Sequence, residues 1–256
     1  MLTYVDRLVQ YIENGTNGTQ YETLTKCSDQ KKVVVFDLDM TIGDFTFISS
    51  IYNLCRNDGI DALDAFNRCF RPGMFHVLEL LSMFKRDGVI YKVVVYTNNT
   101  GGKNWVGRIV KYIHKKLNIE LFDDIISAFE VNYGEESEIR RNSMDKDIRE
   151  LKKILNLSSN DRVMFIDDML HTNMIDPTVY YIHIQPYIMY YTKRDLEYIF
   201  QYQYKISDET RRLLFSKYDE YGFDHVDMKT ECMKMIEFTK LIEHFTIQCK
   251  TGYINL

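Results

Sequence analysis

The sequence predicts an α/β protein on a doubly wound, mostly parallel sheet, and three observations carry that prediction. Short apolar runs at Val33–Phe36, Tyr91–Tyr96 and Arg162–Ile166 read as strands buried on both faces. Segments with apolar residues at helical intervals lie between them, an alternation that leads to βαβ units and a parallel sheet. Three of the strand-like runs close on residues able to do chemistry: Asp37 and Asp39, then Thr97, then Asp167-Asp168. Open α/β sheets bind ligands at that carboxyl edge.

The chain taken as a whole is compatible with one such domain and little else. Its 256 residues suffice for a sizeable α/β core or a core with a small appendage, and only 3 Pro and 12 Gly argue against long flexible linkers. A formal net charge of -5 offers no global positive field for nucleic acid. The five cysteines are scattered, without C-x-x-C spacing, as expected of reduced thiols in an intracellular protein, cytoplasmic or nuclear. The opening Met-Leu-Thr-Tyr-Val-Asp-Arg is not read as a signal peptide, and no stretch approaches the roughly 18 consecutive apolar residues of a membrane span.

Residues 1–28 read as an N-terminal helix, with Leu2, Val5, Leu8, Val9 and Ile12 at helical spacing, followed by a connector carrying two Asn-Gly-Thr triplets at Asn14 and Asn17. The catalytic core is expected over 29–190. After its first strand, 44–70 has mixed helical character around an Asn57-Asp58-Gly59 turn and is too short for a large independent lid. Pro72-Gly73 suits the turn into a helix that buries Phe75, Val77, Leu78, Leu80, Leu81 and Phe84. The second strand ends at Thr97-Asn98-Asn99. The helix after it, about 104–117, sets Val106, Ile109, Val110, Ile113 and Leu117 against a basic row of Arg108, Lys111 and Lys115, which is read as a solvated face. Trp105 is expected to pack.

A third strand is expected at Ile125–Val131, a polar stretch at 132–143, a helix at about 145–156 and a strand at Tyr180–Ile184. A helical C-terminal extension fills 191–256: Thr192-Lys193-Arg194-Asp195 looks like a helix start, a second helix covers Glu209–Tyr218, and a third near 228–245 carries a stripe of Met228, Cys232, Met235, Ile236, Ile242 and Phe245. Such a stripe most often packs on its own domain, and a Met-rich face also suits a partner.

The chemistry concentrates in Lys32–Gly43. Asp37, Asp39 and Thr41 alternate as the chain leaves its strand, so their side chains share one side. Carboxylates that close repel and are costly to desolvate unless a cation compensates, and magnesium, which takes oxygen ligands and substrate phosphate, is the expected ion.

The run of four apolar residues followed by Asp-Leu-Asp-Met-Thr resembles the first motif of the haloacid dehalogenase superfamily, the aspartate-nucleophile phosphatases and phosphotransferases. The other three motifs follow in order at Thr97, Lys146 and Asp167-Asp168. Within the superfamily, Arg71-Pro72-Gly73 and Lys146-Asp147-Ile148 resemble the Arg-Pro-Gly and Lys-Asp-Leu of the capless phosphatases acting on the RNA polymerase II C-terminal domain. Departures are plain: Met40 stands where that family usually has Glu, Asn98-Asn99 where Thr97 is usually followed by Ala, and Met169-Leu170-His171 where a Ser-Pro pair is usual.

The resemblance implies a magnesium-dependent phosphatase working through an aspartyl-phosphate. Asp37 attacks phosphorus; Asp39 protonates the leaving oxygen and then takes a proton from water. By resemblance, Thr97 and Lys146 neutralise the phosphate, the Asp39 backbone carbonyl joins Asp37 at the metal, Asp167 and Asp168 complete the metal site or hold Lys146 in place, and Thr41 and Asn98 are further binding residues. A phosphorylated protein is the expected macromolecular substrate, favoured over nucleic acid, with no membrane involved. Two alternatives stand beside it: a polynucleotide 3′- or 5′-end phosphatase using the basic row of 104–117, and a catalytically weak scaffold that binds a partner through its C-terminal helices. The histidines are read as core or surface residues, and for His171, three residues past the acidic pair, a place at the pocket mouth is the alternative.

Overall fold

A computed structural model describes residues 30–55, 60–99, 105–128, 141, 143–221, 227–248 and 252–256. The expected N-terminal helix, the two Asn-Gly-Thr triplets and the turn at 57–59 lie outside the described residues.

The sheet grows outward from β1 (Lys32–Phe36), whose five residues are all buried. Beside it on one side lie β2 (Lys92–Thr97) and β3 (Asp124–Ser127), and on the other β4 (Arg162–Asp167), β5 (Val179–His183) and β6 (Gly252–Asn255). The order is β3-β2-β1-β4-β5-β6, and every pairing is parallel. Parallel strands buried on both faces explain why Val33–Phe36 reads as an unbroken apolar run rather than an alternation. Crossing from the β3 side to the β4 side places the reversal of strand order at β1, where α/β folds form their crevice.

The helices are α1 (Thr46–Cys55), α2 (Ile60–Ala65), α3 (Met74–Arg86), α4 (Trp105–Leu117), α5 (Ile148–Ile154), α6 (Lys193–Tyr202), α7 (Asp208–Ser216) and α8 (Met228–Gln248). Val34, Phe36, Val95 and Ile166 turn to one face and join a core with side chains from α1–α4 and α6–α8. Val33, Val35, Tyr96 and Phe165 turn to the other and pack on Ile148 and Leu151 of α5. Among the described residues no helix is long and apolar enough to cross a membrane.

Local chemistry accounts for most boundaries. Gly73 takes the left-handed φ of 82° at the start of α3, which glycine adopts without steric cost. Thr192 and Asp195 form a reciprocal capping box on α6, and Trp105 is buried, stacked on Tyr52 at a centroid distance of 5.2 Å. Three expectations shift. The helix expected at 145–156 begins at Ile148, because Asp147 accepts from the Arg149 amide and caps it, leaving Lys146 in irregular chain before the helix. The strand expected at 125–131 is described only as Asp124–Ser127. Met228, expected in the apolar stripe of α8, is exposed, whereas Cys232, Met235, Ile242 and Phe245 are buried.

The C-terminal segment is helical, as expected, but it also adds a strand. β6 pairs with β5 from Tyr180↔Gly252 to His183↔Asn255. Phe238 of α8 packs edge-on against Phe36 of β1 at 6.2 Å, and Lys32 donates to the Thr246 carbonyl. The stripe of α8 therefore packs on the catalytic sheet itself.

Candidate active site

A cavity of about 420 Å³ opens at the carboxyl edge of β1, β2 and β4 and is lined by Asp37, Asp39, Thr97, Lys146, Asp167 and Asp168, together with Asn98, Asn99 and His171. Its floor is set by the ends of three adjacent strands. Asp37 follows β1, and its amide donates to the Ile166 carbonyl of β4 at 2.9 Å. Thr97 and Asp167 are the last residues of β2 and β4.

Lys146 reaches in beside the rings of Tyr96 and Phe165, each centred 5.7 Å from Nζ. It donates to Asp37 Oδ1 and to Asp167 Oδ2, both at 2.6 Å. Other lysines that the sequence offers for the same motif do otherwise: Lys152 donates to Ser159 O and Thr178 Oγ1, Lys153 is exposed, and Lys103 lies outside the described residues. Asp167 is held further by the Met169 amide, which donates to Oδ1 at 2.8 Å, and His171 Nε2 lies 3.4 Å from Oδ2 without hydrogen-bond alignment. Asp168 exchanges hydrogen bonds with Thr41: its amide donates to Oγ1 at 3.0 Å, and the hydroxyl donates to Oδ1 at 3.2 Å. Thr41 is thus wholly buried behind the acidic pair and orients Asp168 rather than lining the cavity.

Asp39 stands apart. Its carboxyl accepts from Asn99 Nδ2 at 2.7 Å and does not join the close group of Asp37, Asp167 and Asp168, whose oxygens lie within 4.8 Å of one another. Asn98 turns elsewhere too. Its Oδ1 accepts at 3.0 Å from Arg141, a fully buried guanidinium that lies 4.3 Å over the Tyr96 ring and donates to Thr97 O at 2.9 Å. Neither Asn99 nor Arg141 follows from the motif spacing. Asn99 was findable only as a polar side chain two residues past Thr97, and Arg141 sits in a polar stretch with no periodic signal.

The loop from Asp39 to Gly43 turns tightly. The Met40 amide donates to the Gly43 carbonyl at 2.7 Å, and Met40 adopts φ 58°. A side chain on Gly43 would place Cβ 2.2 Å from the Cys69 carbonyl oxygen, so only glycine lets the end of the 44–70 insert press on this loop.

Too much negative charge is buried here for the cations present. Burial pushes the Asp37 carboxyl up to about 7, against the pull of Lys146 and with a further push from Asp167 and Asp39. Burial likewise raises Asp39 to about 6, opposed by the Asn99 hydrogen bond, and raises Asp168, with Asp167 adding to the rise. Burial would raise Asp167 as well, but His171 and Lys146 hold it below the ordinary carboxylate value. With all three ionised, Asp37, Asp167 and Asp168 against Lys146 leave three charges minus one, a surplus of two among the described residues of this cluster, which is why burial drives Asp37 and Asp168 towards the protonated form. An all-oxygen donor set with that surplus suits a hard divalent cation.

A family model described as NLI interacting factor-like phosphatase matches residues 32–212. No curated protein matches the chain.

Proposed function

Since the chain belongs to the NLI interacting factor-like phosphatase family and is therefore a phosphatase, a phosphoric monoester hydrolase, we propose that it hydrolyses phosphoserine or phosphothreonine in proteins through an aspartyl-phosphate on Asp37. The observation that supports this reading is Asp37 itself: a buried carboxyl held by Lys146 in a cavity that a second carboxyl, Asp39, also lines, outside the acidic group that could hold a cation.

Each residue has a distinct part. Asp37 is the nucleophile, attacking phosphorus in line as the leaving oxygen departs opposite. Lys146 lowers the cost of bringing a dianionic ester to that carboxylate and keeps one Asp37 oxygen fixed. The Thr97 hydroxyl, whose oxygen accepts from the Asn99 amide at 3.0 Å, has its proton left to donate to a phosphate oxygen. Asp39, raised to about 6, is poised to give a proton to the departing alkoxide and to recover one from the water that cleaves the acyl-phosphate. Asp37, Asp168 and the Asp39 backbone carbonyl, with Asp167 behind them, would hold Mg²⁺, which when bound supplies positive charge to the phosphoryl oxygens.

A phosphoprotein fits the surroundings better than a nucleic-acid end. Among the described residues that line the cavity the one ammonium, Lys146, is spent on carboxylates, and Met40, Phe45 and Met169 add apolar surface, Met169 being 61% exposed. Lys111 and Lys115 of α4 line a separate cavity with His114 and Glu120. The scaffold reading loses its support where α8 buries its apolar side in its own core.

The test is phosphate release, with magnesium, from a phosphoserine peptide and from an end-phosphorylated oligonucleotide, using the wild type and Asp37→Asn. The expected result is release from the peptide alone, abolished in the variant. Turnover by Asp37→Asn at the wild-type rate would remove Asp37 as nucleophile, and preference for the oligonucleotide would replace the substrate class.

A further inference from the structure

Arg71 closes on the site from behind without touching a catalytic carboxylate. Its side chain is fully buried, and its donors go to backbone oxygens: Nε to Thr41 O at 2.9 Å, and Nη2 to Met40 O and to Gln185 O, both at 2.7 Å. The Met40 carbonyl accepts also from the Tyr187 amide at 2.8 Å. Three residues of the site hang on that loop, because Asp39 precedes Met40 and Thr41 orients Asp168. Met40 occupies the left-handed region, which costs a side-chain-bearing residue about 1–2 kcal/mol and persists only where neighbours impose it.

A guanidinium enclosed in this way carries a full charge that carbonyls alone do not balance. The balance comes from Glu231, whose Oε2 accepts from Arg71 Nη1 at 2.9 Å. Lys234 then donates to the other Glu231 oxygen and to Gln185 Oε1, both at 2.8 Å, closing a ring of side chains around the carbonyls. Glu231 is 7% exposed and lies on α8, beyond residues 32–212 matched by the family. The cation that shapes the nucleophile loop is thus compensated from a helix outside the matched segment.

We infer that Glu231 is a positioning residue of the phosphatase site: by holding Arg71 against the Met40 and Thr41 carbonyls, it fixes where Asp39 and Asp168 stand. The kinetic side of this inference rests on the function proposed above; the structural side does not.

The experiment compares full-length wild type, Glu231→Gln and Glu231→Asp. In hydrogen–deuterium exchange, Glu231→Gln is expected to speed exchange in peptides covering 38–43 while those covering β2 and β5 stay unchanged, and Glu231→Asp to lie close to wild type. In kinetics with magnesium, misplacing the proton donor costs most where the leaving oxygen needs a proton. Glu231→Gln should lose ~10- to 100-fold in kcat on an alkyl phosphate, severalfold less on p-nitrophenyl phosphate, with little change in KM. Unchanged exchange at 38–43, exchange raised evenly across the sheet, or equal loss on both esters would overturn the inference. A wild type inactive on both esters would instead count against the phosphatase reading, and the exchange result would still decide the role of Glu231.

Discussion

Two buried cations flank the chain that leaves β1, and they are used in opposite ways. Lys146 meets carboxylates directly, bridging Asp37 and Asp167 at 2.6 Å each. Arg71 meets carbonyls and leaves its charge to Glu231, a carboxylate from the far end of the sequence. A point-like ammonium suits the first task, since it moves the charge balance of whatever it touches; a planar fork with several fixed donors suits the second, since it can span three backbone oxygens at once. The region around Lys146 is where protonation is tuned, and the region around Arg71 is where geometry is set.

That division can be broken most sharply at Lys146. Lys146→Ala should lower kcat by ~10²- to 10³-fold, the usual loss when a single charge-stabilising donor is removed, and near-normal steady-state turnover would show that the ammonium is not part of the chemistry. At Arg71, Arg71→Lys preserves the charge but not the fork. Lost charged hydrogen bonds cost about 1.5–3 kcal/mol each, so urea denaturation should show a destabilisation of at least that size, larger than for Lys146→Ala if geometry rather than charge is what Arg71 supplies.

A smaller effect separates the two carboxyls after β1. Asn99→Ala removes the hydrogen bond that opposes burial at Asp39, so the Asp39 value rises further. Because the leaving-group proton comes from the acid form, the alkaline limb of the rate on an alkyl phosphate should move to higher pH in this variant. A limb that stays put or moves to lower pH would detach Asp39 from that step. The smallest effect is a control remote from both cations. Thr192→Ala should cost about 1 kcal/mol by loss of a helix cap, with no change in kcat. The Thr192 hydrogen bonds hold Asp195 below its usual 3.8, so its stabilising contribution is present above pH 3.8 and is lost as pH falls through the lowered value. The difference between wild type and variant in urea should therefore narrow on acidification below that pH.

Elements with a strong local signal were legible in the sequence. The apolar runs of β1, β2 and β4 are buried on both faces, the helical spacing of α3 and α4 matches their buried sides, and Thr192-Lys193-Arg194-Asp195 opens α6. Elements without such a signal were missed. Gly252–Asn255 is a strand because β5 offers an open parallel edge, not because four residues specify one. Met228 shares the spacing of the α8 stripe yet is exposed, because tertiary packing rather than periodicity ends the buried stripe.

For the site, the order of motifs placed Asp37, Asp39, Thr97 and Asp167-Asp168 at strand ends, since a strand carries its last side chains to the sheet edge whatever surrounds it. The sequence by itself determined that edge and the residue types on it. Only the tertiary structure decided which carboxylates cluster, that Asp39 turns to Asn99 while Thr41 turns to Asp168, and that Arg71 finds its counter-charge at Glu231. Such pairings depend on distances between segments up to 160 positions apart in the chain, and electrostatic balance in a buried site belongs to the assembled set of charges rather than to any one stretch that contributes to it.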